Sequence, residues 1–230
     1  MFRIVAQKRI SLYYFFEDAV KRVPNNECIW SREGCYTWTQ TYNRANQYAQ
    51  WFLSQGVKPH DYVAFYLTNS PDFIFAWLGL LAIGAAPAMI NYNLTGKALI
   101  HCLKVSGATV LLVDEDPALV ARIEEARAQI ERELGMQIRV VDSEIKKEIS
   151  SQKTERLADV YREVVQGDWP LAMFYTSGTT GMPKGVPFQM DRGFSQGGSV
   201  NIFLHNKDLP WMSNANSTVE SRRLQLDRRR

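Results

Sequence analysis

Four serine and threonine hydroxyls, three glycines and one lysine fall within the eleven residues Tyr175-Thr176-Ser177-Gly178-Thr179-Thr180-Gly181-Met182-Pro183-Lys184-Gly185. These residue types together can hold a phosphate group. Glycine lets backbone N–H groups approach an anion closely and adopt positive φ. Hydroxyls add donors, and a lysine adds a compact positive charge. The run follows the apolar stretch Leu171-Ala172-Met173-Phe174, which reads as a buried strand. It is not a Walker A loop, which needs Gly-x-x-x-x-Gly-Lys-[Ser/Thr]. Counted from Gly178, the second glycine position holds Pro183, and Gly185 follows Lys184 where a hydroxyl should meet magnesium. A plain surface turn would use the same residue types, but it has no need for this many hydroxyls and a lysine directly after a buried strand.

The elements that must position this loop follow from periodicity. Ser11 caps an amphipathic helix running to Val23, stopped by Pro24-Asn25-Asn26. Cys28-Ile29-Trp30 and Cys35-Tyr36-Thr37-Trp38 read as hairpin strands around Arg32-Glu33-Gly34. A helix from about Thr39 turns Tyr42, Ala45, Ala49, Phe52 and Leu53 inward and closes at Gly56. From there strands at Tyr62–Leu67, Ala86–Ile90, Thr109–Val113 and Ile138–Val141 alternate with helices at Pro71–Ile83, Lys97–Val105 and Pro117–Leu134. Continuous apolar strands between helices predict an α/β fold with a mostly parallel sheet flanked by helices. Ligands bind such sheets at the carboxyl ends of the strands, where the Gly178 loop would lie.

Residues 143–168 are polar and helix-like, with Leu157, Val160, Tyr161 and Val164 on one side, and read as a surface connection to the functional strand. The last core element is Val186–Gln189. This predicts a partial domain over residues 10–190 and a polar, arginine-ended, disordered tail over 191–230.

Composition narrows the function classes. Hydrophobic content of 46% with 12% aromatic is that of a globular chain. The cysteines, Cys28, Cys35 and Cys102, are too few and scattered for a disulfide framework or zinc site, so a reduced, cytosol-facing, non-secreted chain is expected. His60, His101 and His205 sit near no cysteine cluster and read as ordinary polar residues. Of 27 basic and 24 acidic residues, six and three lie in 196–230, so the rest of the chain is neutral and its net +3 belongs to the tail. Six cations with interspersed anions read as a solvated tail and not as a nucleic-acid footprint. Phe73–Ile90 is uncharged over eighteen residues, but Gly79 and Gly84-Ala85-Ala86-Pro87 interrupt it, and Ser70-Pro71 reads as a helix start. A buried helix and a short strand fit it better than a membrane span.

The eleven-residue loop resembles the phosphate-binding loop of the adenylate-forming superfamily: acyl-CoA synthetases, luciferases and peptide-synthetase adenylation domains. Tyr36-Thr37-Trp38-Thr39-Gln40, and Asn69-Ser70-Pro71-Asp72-Phe73 through Gly84-Ala85, are similar to blocks in the same N-terminal domain. Ile90-Asn91-Tyr92-Asn93-Leu94, Leu99-Ile100-His101-Cys102-Leu103 and Ser106-Gly107-Ala108 resemble the fatty-acid transport protein and very-long-chain acyl-CoA synthetase branch.

The resemblance implies a fatty acid–CoA ligase, which joins a long-chain carboxylate to ATP with Mg2+ to form acyl-AMP and then passes the acyl group to CoA. Thr176, Ser177, Thr179 and Thr180 would donate hydroxyl hydrogen bonds to the β- and γ-phosphates, and Gly178 and Gly181 would expose amides. Lys184 would offset charge on the departing pyrophosphate, while Tyr175 reads as a packing residue. Family members carry adenine, ribose, hinge and catalytic-lysine motifs later in their chains, and none matches here. The chain alone is therefore expected not to complete acyl-CoA synthesis. The alternative is a non-catalytic nucleotide-binding or interaction fragment. Peripheral attachment to an endoplasmic reticulum or peroxisomal membrane is compatible with the resemblance, and no pattern sets an oligomeric state.

Overall fold

Each strand of the central sheet is four to seven residues long, and all but the last run in one direction. The computed structural model describes residues 10–177 and 181–193. Contacts divide the chain into units of residues 1–191 and 192–230. The tail expectation for 191–230 falls almost wholly outside the described residues.

Helix α1 (Leu12–Arg22) leads into an antiparallel hairpin, β1 (Glu27–Ser31) and β2 (Gly34–Thr37), and then α2 (Trp38–Ser54). Alternation follows: β3 (Tyr62–Tyr66), α3 (Pro71–Ala82), β4 (Ala86–Met89), α4 (Gly96–Ser106), β5 (Val110–Val113), α5 (Pro117–Glu133), β6 (Gln137–Val140), α6 (Ser143–Ser150), β7 (Pro170–Thr176) and β8 (Lys184–Gln189). The six-stranded sheet has the order β6-β5-β3-β4-β7-β8. Five strands pair in parallel and β8 pairs antiparallel on β7 at the edge.

One face of the sheet is covered by α4 and α5. Leu99, Cys102 and Leu103 of α4 and Leu119, Ile123 and Ile130 of α5 pack on Ala64, Leu111, Ile138 and Met173. Leu99, Cys102, Leu103 and Ser106 are all buried, at the i, i+3, i+4, i+7 spacing of one helical stripe. Fully burying a leucine contributes roughly 1.5–3 kcal/mol, so Leu99 and Leu103 alone anchor α4 firmly. Alternation sends Phe65 of β3 to the opposite face, where its ring meets Phe73 of α3 edge-on at 5.5 Å. Trp77 of α3 donates its indole N–H to the Leu171 carbonyl of β7 at 3.1 Å.

Two expectations need correction. Trp38 is not the end of a strand but the first residue of α2. The Thr37 hydroxyl accepts from the Gln40 amide at 3.2 Å, and the Gln40 side chain accepts from the Thr37 amide at 2.8 Å. This reciprocal box starts the helix one residue earlier than the hairpin pattern suggests. The stretch 143–168 is α-helical only to Ser150, with one 3-10 turn at Asp159–Tyr161, and of the apolar side read from sequence only Leu157 and Tyr161 are half-buried. Val160 and Val164 are exposed, while Arg162 and Val165 are buried. The Arg162 guanidinium donates to the carbonyls of Ala82 at 2.7 Å and Leu157 at 2.8 Å and lies over the rings of Tyr13 and Tyr14. A delocalised, weakly hydrated cation is the side chain best suited to such a place.

Among the described residues no helix is long and apolar enough to cross a membrane.

Candidate phosphate-binding site

Strand β7 ends at Thr176, and its carboxyl end opens into the hydroxyl- and glycine-rich run. The chain returns as β8, so that run is the turn of an antiparallel hairpin. Thr176 stands opposite Lys184, and Tyr175 opposite Gly185. Directly opposed residues of an antiparallel pair share a face. The Thr176 hydroxyl and the Lys184 ammonium therefore lie on the same side of the hairpin, and both residues are exposed. Ser177 is exposed too, and Gly181 takes a left-handed φ of 84°. Gly178, Thr179 and Thr180 lie outside the described residues. Among the described residues Lys184 makes no ion pair, so its charge is available to an anion. An exposed lysine beside hydroxyl donors and a left-handed glycine suits a phosphate group.

The opposite side of the hairpin is packed. Tyr175 donates its hydroxyl to the Cys102 carbonyl of α4 at 2.8 Å. Burial, with Cys102 and Tyr62 nearby, pushes the Tyr175 hydroxyl well above the usual phenol range, so it remains a donor. That agrees with a packing role. Burial raises the Cys102 thiol to about 11, which leaves it protonated and unsuited to nucleophilic work at neutral pH. His101 brings its Nε2 to the Pro183 carbonyl at 2.9 Å. Sequence reasoning left this histidine without a role. Its place one residue from the buried Cys102, on a helix that reaches the loop, becomes visible only once α4 is set against β8.

Residue 185 is glycine for lack of room. A Cβ there would lie 2.8 Å from Val105 Cγ1 and 3.1 Å from Met173 Sδ. Gly185→Ala is expected to lower stability by about 1–2 kcal/mol through overpacking, read as a lower midpoint in urea unfolding.

A second polar concavity, about 90 Å³, lies at the carboxyl ends of β3 and β5 and is lined by Thr68, Asp72, Asp114, Glu115 and Lys146 among others. Asp72, Asp114, Glu115 and Lys146 already have partners. Asp114 accepts from the Thr68 amide at 3.0 Å and the Thr68 hydroxyl at 2.5 Å, and Lys146 reaches Glu115 at 2.8 Å and Asp72 at 3.7 Å. Burial opposes ionisation of Asp114, but the Thr68 hydroxyl and the Thr68 and Asp116 amides outweigh it and hold its pKa below the ordinary value. These groups hold one another in place, whereas Lys184 makes no ion pair among the described residues. Among the described residues no cluster of metal-ligating side chains is present.

Comparison with known proteins agrees with the fold. The chain is 38% identical over 193 residues to isopenicillin N epimerase component 1 of Hapsidospora chrysogena, covering 84% of this chain and 26% of that protein. It is 32% identical over 207 residues to a very long-chain fatty acid transport protein of Cochliobolus heterostrophus, covering 89% of this chain and 31% of that protein. It thus spans between a quarter and a third of the length of these relatives. A fatty acyl CoA synthetase of Mycobacterium tuberculosis superposes with a TM-score of 0.71 at 22% identity, covering 80% of this chain and 35% of that one, a likeness of fold. The family model for AMP-binding enzymes matches residues 16–208, and the chain belongs to that family.

Proposed function

We propose that the turn between β7 and β8 binds the β- and γ-phosphates of ATP in an acyl-adenylating enzyme of the fatty acid–CoA ligase type. The observation that carries this reading is the cross-strand pair of Thr176 and Lys184, one hydroxyl and one exposed cation on the open side of the hairpin. Thr176 and Ser177 donate hydroxyl hydrogen bonds, with Thr179 and Thr180 as further donors in the same run. Gly178 and Gly181 bring backbone amides to the anion. Lys184 opposes the charge that accumulates on pyrophosphate as it departs. Magnesium, when bound, would supply further positive charge against the phosphates beside Lys184. CoA is the acceptor of the acyl group. Residues 10–190 carry the AMP-binding fold in this reading, and the phosphate contacts all come from within them.

The acid is a long-chain fatty carboxylate in this reading, supported by the likeness to fatty acid transport proteins. The relative named for isopenicillin N favours a second reading, a non-fatty carboxylic acid, so both acids belong in any substrate screen. A cytosol-facing enzyme at the periphery of an endoplasmic reticulum or peroxisomal membrane is the setting we infer.

The loop itself is testable without the acid. A ligand that binds only the folded chain stabilises it by RT ln(1 + [L]/Kd). ATP is therefore expected to raise the melting temperature of the native chain by several degrees at saturating concentration. Lys184→Ala should lose most of that shift while melting normally without ATP, because Lys184 is exposed and makes no ion pair among the described residues. Equal shifts in the two proteins would remove Lys184 from the site.

A further inference from the structure

Helix α4 touches the hairpin at three points. The Tyr175 hydroxyl, just before the loop, donates to the Cys102 carbonyl at 2.8 Å. His101 Nε2 meets the Pro183 carbonyl at 2.9 Å, one residue before Lys184. Val105, one turn beyond His101 on the same helical face, fills the space beside Gly185. Residues immediately before and after the Lys184 side are thus held from one helix. A carbonyl oxygen only accepts, so the contact requires the proton on Nε2. Pro183 has no amide N–H, and its carbonyl is the one backbone group it can offer as an anchor. The helix that carries these contacts is itself fixed by buried Leu99, Cys102 and Leu103, and it is closed at Gly107, whose φ is 63°.

We propose that α4 braces the exit limb of the phosphate loop, with His101 as a positioning residue whose Nε2–H holds the Pro183 carbonyl and thereby fixes where Lys184 points. This rests on the reading of the loop as a triphosphate grip for its effect on ATP, but not for its effect on the loop. His101 touches no phosphate in this arrangement. It acts through the backbone of the residue preceding the lysine. The arrangement also gives a physical task to the Leu99–Leu103 run: the leucines seat the helix in the core, and the histidine and the cysteine carbonyl face the loop.

The test uses the 230-residue chain and two substitutions. His101→Phe keeps a ring and loses the donor, and His101→Gln supplies an amide N–H at a similar reach. Two readouts are taken. The first is amide hydrogen exchange of residues 181–186 without nucleotide, and the second is the ATP dissociation constant by calorimetry. A neutral hydrogen bond contributes roughly 0.5–1.5 kcal/mol, or about twofold to tenfold in an equilibrium constant. His101→Phe is expected to speed exchange of Gly185 and Val186 and weaken ATP by about that factor, with the nucleotide-free melting temperature lowered by no more than a few degrees. His101→Gln should restore both to within about twofold. Unaltered exchange in His101→Phe overturns the proposal whether or not ATP binds. Equal losses in the Phe and Gln variants also overturn it, since they would show that ring packing and not the donor matters. If the native chain binds no ATP while exchange behaves as expected, the brace stands and the triphosphate reading falls.

Discussion

Gly84→Ala should be among the most damaging single substitutions in the chain, lowering stability by about 3–4 kcal/mol. Gly84 ends α3 in the left-handed region, at φ 70°. Its amide donates to Leu81, and the next amide, Ala85, reaches back to Leu80 at 2.9 Å. This is the reciprocal closure that satisfies the last carbonyls of a helix. An L residue in that backbone conformation costs roughly 1–2 kcal/mol. The second contribution is steric. A Cβ on residue 84 would lie 2.5 Å from the Tyr161 carbonyl oxygen and 3.2 Å from Val165 Cγ2. The first of these is backbone, so relief requires the 157–165 connection to move away from α3. A control separates the two contributions. Gly56 has φ 83°, and a Cβ on it would meet nothing within 4 Å, so Gly56→Ala should show the conformational cost alone. Urea unfolding of the two variants side by side measures the difference.

Arg162→Ala is expected to cost a similar amount, about 3–5 kcal/mol. The side chain is 0% exposed and ties the connection to the end of α3 through the Ala82 carbonyl. It also reaches Asp159 at 3.0 Å and packs under two tyrosine rings of α1, 4.6 and 5.4 Å from their centres. Removing it leaves a cavity and takes a charged donor from two carbonyls. Arg162→Lys should recover little, because an ammonium cannot reach both carbonyls or stack on the rings. Gly84 and Arg162 act at one junction: the Tyr161 carbonyl blocks residue 84, and the next residue anchors on Ala82. Their effects should therefore be less than additive in the double variant, measured by equilibrium unfolding.

Arg162 was not legible in the sequence for a physical reason. The partners that bury it, Tyr13, Tyr14 and Ala82, are distant in sequence, and an arginine between valines reads as an outward residue. Periodicity set Leu157, Val160, Tyr161 and Val164 on one side; packing half-buries Leu157 and Tyr161, exposes Val160 and Val164, and buries Arg162 and Val165. Periodicity served well where a core stripe decides, as in α4, α5 and the strands between them. The helix start at Trp38 was present in the pattern Thr37-Trp38-Thr39-Gln40, and the apolar and aromatic run before it masked the signal. At the candidate site, residue types alone pointed to the loop. They did not reveal the pairing of Lys184 with Thr176, because an edge strand with exposed Val186 and Pro187 shows little core pattern. Nor could they reveal the contact of His101 with Pro183, which depends on a register between a helix and a hairpin 82 residues apart.

The most direct measurement is a calorimetric titration comparing ATP with AMP on the native chain and on Lys184→Ala. A loop that grips the β- and γ-phosphates binds ATP at least about tenfold more tightly than AMP, since one charge-assisted contact contributes roughly 1.5–3 kcal/mol. In Lys184→Ala that preference collapses, while AMP affinity stays as it was. Equal affinity of the native chain for ATP and AMP, or a preference for ATP that survives loss of the lysine, would contradict the assignment of this loop as the triphosphate grip.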